Sequence, residues 1–146
     1  MNTTTDNCID VCNSLLRGEI SAVETYTQAI DKFRNEPEVS TLEQIRAEHV
    51  ESANRLRENV RSMGGVPSND SGAWGTFSKM VEGAAKLMGS SAALKGLKQG
   101  EAYGKNNYEE ALRDDDVMPG CKDMIRLELL PRQLRHLEML EHLERG

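Results

Sequence analysis

The sequence predicts an all-α fold, a four-helix bundle built from two similar helical hairpins. Three observations carry that prediction. Apolar residues recur at helical spacing along four long segments. The composition, 38% hydrophobic and 29% charged but only 4% aromatic, is poor in the residues that strands favour. A motif in the first helix returns, at the same internal spacing, in the third long one. At 146 residues the chain suits one domain, 1–146, with one hairpin over 6–63, a crossover over 64–91 and a second hairpin over 92–146.

The first helix is expected from about Asp6 to Phe33, where Ile9, Cys12, Leu15, Leu16, Val23, Tyr26, Ile30 and Phe33 follow helical spacing. Asn35, Glu36 and Pro37 interrupt it. Ser40, with Glu43 three residues on, has the form of a capping box for a second helix running to about Met63. Its stripe is Leu42, Ile45, His49, Ser52, Leu56 and Met63, which turns His49 and Ser52 inward. Gly64-Gly65-Val66-Pro67 ends it.

From Ser68 to Gly89, glycines weaken the pattern while Trp74, Phe77, Met80, Val81, Ala84 and Leu87 keep a helical rhythm, so a short crossing helix is expected. Its apolar residues read as packing over one side of the core. Ser90 and Ser91 are positioned to cap the next helix, about Ala92 to Arg113, with Leu94, Leu97, Glu101, Tyr108 and Leu112 along it. The last helix starts near Pro119 and carries Ile125, Leu127, Leu130, Leu134, Leu137, Leu140 and Leu143. Pro131 must kink or divide it, because its nitrogen cannot donate to the Leu127 carbonyl.

The repeat is the most informative feature. Gly18-Glu19, Tyr26 and Ala29-Ile30 recur as Gly100-Glu101, Tyr108 and Ala111-Leu112, and the long helix that follows in each half carries an inward histidine, His49 or His136. Short turns make the helices of each hairpin antiparallel. The long 64–91 connection has room to cross the bundle and set the second helix parallel to the third long one.

Gly-Glu followed by six residues and tyrosine resembles the first and third bundle helices of rubrerythrin-type, ferritin-like proteins, and the resemblance spans nearly the whole chain. The overall pattern, including Gly-Gly-x-Pro after the second helix, is similar to a bacterial ferritin-like family of unknown function. The resemblance implies that Glu19 and Glu101 stand where such proteins place metal ligands, with Glu-x-x-His expected from each partner helix. This sequence departs there. His49 and His136 fall where that family has bridging glutamates, and Ser52 and Met139 where it has histidines.

Taken on their own residues, Glu19, His49, Glu101 and His136 form a candidate metal set, enough for one four-coordinate ion of iron, zinc or manganese if all four converge. Two adjacent cations need bridging carboxylates that are missing. The competing expectation is a buried polar network. Counting outward from Pro37 at about 1.5 Å per residue puts Tyr26 level with His49 and leaves Glu19 roughly 10 Å away. That count pairs His49 with Tyr26 and His136 with Tyr108, while each glutamate finds a donor on a neighbouring helix. In the metal reading, Tyr26 and Tyr108 donate to the ligands instead.

Other chemistry is disfavoured. The net charge of −6 provides no basic field for nucleic acid or an anionic membrane, and no run of about 18 apolar residues occurs. The arginines interleave with acidic residues as a solvated, salt-bridged surface does. No phosphate-binding glycine loop and no nucleophile triad is present, so catalytic residues and an organic cofactor are not expected. Three cysteines, with Cys8 and Cys12 one turn apart and Cys121 distant, form no disulfide framework and read as reduced core thiols. The expectation is a cytoplasmic, non-enzymatic bundle that meets a second copy of itself or another protein.

Overall fold

The computed structural model describes residues 3–72 and 89–146. The crossing helix expected within 68–89, with Trp74, Phe77 and Met80, lies almost wholly outside the described residues. The described elements are helical: α1 (Thr3–Lys32), α2 (Val39–Ser62), α3 (Ser90–Arg113), α4 (Pro119–Met124), a π-helical turn (Ile125–Leu129) and α5 (Leu130–Arg145). The last three run on as the fourth arm of the bundle. α1 packs on α2 and α3, α3 on α5, and α5 on α2, which closes the ring.

The direction of each arm follows from its contacts. Glu19 meets Tyr108 and Tyr26 meets Glu101, so α1 and α3 are antiparallel. The turn after Lys32 makes α2 antiparallel to α1, and α2 therefore runs parallel to α3, as a single crossover requires. At the start of that crossover Gly64 adopts φ 84°, and Gly65 lies against Ile9, where a Cβ would sit 2.7 Å from the isoleucine side chain. The chain then returns along α1. Asn13 donates to the Val66 carbonyl and accepts from the Ser68 amide, and Arg17 donates to the Ser68 hydroxyl.

Two expected caps do not form. α2 begins at Val39, with Glu38 before it and no side-chain cap, so Ser40 and Glu43 already lie within the helix. Gly89, at φ 86°, precedes Ser90 at the start of α3, again without a side-chain cap. At both ends the first helical bonds are made by the backbone alone, from the Leu42 amide to the Glu38 carbonyl and from the Ala93 amide to the Gly89 carbonyl.

Pro131 divides the last helix through a specific device. The Leu130 amide bonds the Ile125 carbonyl five residues back, widening one turn immediately before the proline. The extra residue rotates the following stripe. Ile125, Leu129, Gln133, His136 and Leu140 are buried, whereas Leu127 and Leu134, expected on the apolar face, are 74% and 41% exposed.

The core is split. One apolar cluster joins Leu15, Leu16, Leu56, Val60, Ile125 and Leu129 at one end of the bundle; the other joins Phe33, Leu42, Ile45, Leu94, Leu97 and Leu140 at the opposite end. Each such side chain contributes roughly 1.5–3 kcal/mol by leaving water. Between the clusters lies a layer of buried polar groups, Glu19, His49, Ser52, Glu101, Gln133 and His136.

Candidate functional site: a buried carboxylate and imidazole layer

Each helix supplies this layer from the middle of its apolar stripe. Glu19 and Tyr26 are seven residues apart on α1, as are Glu101 and Tyr108 on α3, so each pair shares one helix face. The tyrosine hydroxyls cross between the halves: Tyr26 donates to Glu101 Oε2 at 2.6 Å, and Tyr108 donates to Glu19 Oε1 at 2.9 Å. His49 lies between the two carboxylates, its Nδ1 2.7 Å from Glu19 Oε2 and its Nε2 2.7 Å from Glu101 Oε2. His136 Nδ1 is 3.2 Å from Glu101 Oε1, and its Nε2 is 2.9 Å from Glu48 Oε1. Gln133 donates to the Glu101 backbone carbonyl at 3.0 Å.

All six residues singled out from the sequence therefore meet, and each glutamate takes a donor from a neighbouring helix as expected, but the two Tyr–His hydrogen bonds do not form. The hydroxyls of Tyr26 and Tyr108 go to carboxylates, not to histidines. Tyr26 instead stacks on His49, with ring centroids 5.4 Å apart, and His49 in turn lies 4.6 Å from the His136 ring. The axial count from Pro37 fails because α1 stops at Lys32 and α2 starts at Val39, which centres the turn between residues 35 and 36. His49 is then level with Ala22, midway between Glu19 and Tyr26. The remaining offset of about 4.5 Å is within reach of a glutamate side chain.

The electrostatics follow from this placement. Burial alone would lower the His49 pKa, but the Glu101 and Glu19 carboxylates on either side raise it from 6.5 to about 10. Burial would raise Glu101, but His49 and His136 draw it down from 4.5 to about 2. Burial, reinforced by the neighbouring carboxylates, pushes both Tyr26 and Tyr108 well above 10, so the phenols stay protonated and donate. With its pKa raised to about 10, His49 carries a proton on both ring nitrogens at neutral pH, one facing Glu19 and the other Glu101.

Glu48 was not legible as part of the layer, although a signal for it exists. Glu48 precedes His49 and Arg135 precedes His136, opposite charges at equivalent positions of the repeat, and they pair at 2.5 Å. That pair and His136 together hold the Glu48 carboxylate below its usual range against the opposing effect of burial. Ser52 accepts from Arg132 at 2.8 Å and belongs to the rim of the layer. Met139, where the family resemblance places a histidine, packs against the Phe33–Leu140 cluster.

The donor set does not fit two metal ions. All four oxygens of Glu19 and Glu101 already accept a hydrogen bond or face an imidazole nitrogen. The 2.7 Å His49 contacts are charge-assisted hydrogen-bond distances, whereas two ligands at about 2.0–2.1 Å from one tetrahedral ion stand roughly 3.3 Å apart. For a single ion, His49, Glu101 and His136 offer atoms within 4.8 Å of one another; Glu19 is not in that group. A cavity of about 50 Å³ between α1 and α3 reaches the carboxylates past Gly18, Ala22, Gly100 and Gly104.

A family profile described as Domain of unknown function (DUF2383) matches residues 7–114. None of the curated proteins matches. Among solved structures, the chain is similar to a ferritin-like, diiron-carboxylate protein from Bacillus anthracis str. Ames, at 18% identity over 99% of each chain and a TM-score of 0.79. At that identity the likeness shows the fold, which is ferritin-like.

Proposed function

Starting from a chain that belongs to the DUF2383 family, we propose a non-enzymatic ferritin-like bundle, structural or stress-related, in which a protonated histidine replaces metal between two carboxylates. The carrying observation is His49, held at 2.7 Å to both Glu19 and Glu101. An imidazolium there supplies the positive charge that two buried carboxylates need, and it leaves their oxygens satisfied. The layer fixes helix register, and the outer surface meets a second copy or another protein. Support for such a contact comes from Leu127 and Leu134, outward-facing on the last arm. Among the described residues no helix is long and apolar enough to cross a membrane, and the proposed address is the cytoplasm.

The second reading is a metal-binding or redox bundle with one ion held by Glu101, His49 and His136, and with Glu19 as a further ligand. It is favoured by the spacing of the first three and by the diiron-carboxylate name of the similar structure. Such an ion must displace the His49 proton.

Elemental analysis of tag-free protein, before and after incubation with ferrous iron or manganese, separates the two readings. The first expects neither metal near stoichiometry and no change in melting temperature. Near-stoichiometric iron or manganese, lost in the His49→Ala/His136→Ala double variant, overturns it. Sedimentation of the parent and a Leu127→Glu/Leu134→Glu variant tests self-association. A dimer that the variant leaves intact rules out that surface.

A further inference from the structure

Away from the polar layer, the fold gathers all three cysteines. Cys8 and Cys12 lie one turn apart on α1, and Cys121 comes from α4; all are buried, and their sulfurs lie within 4.8 Å of one another. Cys12 Sγ and Cys121 Sγ approach to 3.0 Å. Three sulfurs around an ion at about 2.3 Å in a trigonal plane stand roughly 4 Å apart, so the Cys12–Cys121 contact would open by about 1 Å, while all three sulfurs already lie within 4.8 Å of one another.

Two N–H groups already point at these sulfurs. Asn59 donates to Cys12 Sγ at 3.3 Å, and the Met118 amide donates to Cys8 Sγ at 3.5 Å. Donors of this kind stabilise negative sulfur in thiolate sites.

A surface cleft of about 390 Å³ has Cys121 on its wall together with Met63, Met118 and Asn59. No imidazole or carboxylate belongs to the sulfur group among the described residues. Zinc favours a fourth ligand, whereas a soft monovalent ion accepts three sulfurs and tolerates thioether neighbours.

We propose that Cys8, Cys12 and Cys121 form a trigonal site for a soft monovalent cation of the copper(I) class, entered past Met63 and Met118. Each thiol that becomes a ligand thiolate releases its proton to solvent, and no electron is transferred. The site lies about 10 Å along α1 from Glu19, counted from Cys12, and stands apart from the carboxylate and imidazole layer.

The test is competition between the reduced protein and a chromogenic copper(I) chelator under anaerobic conditions. The expected result is one equivalent of copper(I) withdrawn by the wild type. Cys121→Ser and, as a second variant, Cys8→Ser should each lose at least about tenfold in affinity while keeping a cooperative helical melt. His49→Gln should retain the wild-type affinity, which keeps this site distinct from the polar layer. Failure of the wild type to withdraw copper(I), equal withdrawal by folded Cys121→Ser, or uptake of zinc when both ions are offered overturns the proposal. So does a Cys12–Cys121 disulfide in air together with no copper(I) uptake after reduction.

Discussion

Tyr26 of the first hairpin donates its hydroxyl to Glu101 of the second at 2.6 Å, with both groups buried. Tyr108 returns the same bond to Glu19 at 2.9 Å. Because these bonds end on buried carboxylates, each counts as a charge-assisted interaction.

Tyr26→Phe should therefore lower unfolding stability by about 1.5–3 kcal/mol, with a similar loss for Tyr108→Phe. The two carboxylates share His49, so the double variant should depart from the sum of the singles. Urea titration at neutral pH measures all three. A loss below about 0.5 kcal/mol in both singles would remove the phenols from the network.

His49→Ala leaves two carboxylates without their shared cation. The expected cost is about 3–5 kcal/mol, because removing one member of a buried ionic group strands the others. Adding Glu101→Gln to that variant should recover part of the loss. A double variant as unstable as the sum of its single changes would show that His49 matters for packing alone.

The pH dependence has a definite sign on each side. The folded-state pKa of His49 is raised to about 10, so its contribution is complete below 6.5 and is lost as pH rises from there through 10. The folded-state pKa of Glu101 is lowered to about 2, so its contribution is complete above 4.5 and is lost as pH falls from there towards 2. Denaturant midpoints should peak between about pH 5 and 6.5 and decline on both sides, with His49→Gln abolishing most of the alkaline decline. A flat wild-type profile from pH 6.5 to 10 would falsify the imidazolium assignment.

Gly104 gives a test in which two small effects compete. A Cβ there would lie 2.4 Å from Gln133 Nε2, the group that donates to the Glu101 carbonyl. Gly→Ala in a helix gains up to about 1 kcal/mol in propensity, while displacing that amide loses about as much. Gly104→Ala should thus be near neutral in the wild type but stabilising in a Gln133→Ala background. Chemical denaturation of the four-member cycle measures the coupling.

The architecture was legible because the stripe Leu42, Ile45, His49, Ser52 and Leu56 and the repeat around Glu19 and Glu101 are local patterns, and local spacing decides which face a helix buries. The pairings were not, because they depend on where the interhelical turn is centred. A shift of one or two residues there moved the partner of His49 from Tyr26 to a position shared with Glu19. Cys121 is a harder case. Nothing in its neighbourhood of sequence indicates that the second hairpin returns it to Cys8 and Cys12, more than a hundred residues away. The π turn likewise follows from Pro131 only once the widened hydrogen bond at Leu130 is seen; the proline alone signals a break without saying which way the next stripe rotates.

The crossed tyrosine bonds have a bearing on what a half-protein would do. The first hairpin carries a carboxylate, a phenol and an imidazole in Glu19, Tyr26 and His49, and the second carries the equivalent trio. Two copies of one hairpin about a dyad would reproduce both crossed bonds without any new chemistry. They could not both place an imidazole between the same pair of carboxylates, since one ring fills that position. In the joined chain His49 holds it, while His136 contacts Glu101 through Nδ1 and Glu48 through Nε2, so the two halves of the centre are not equivalent.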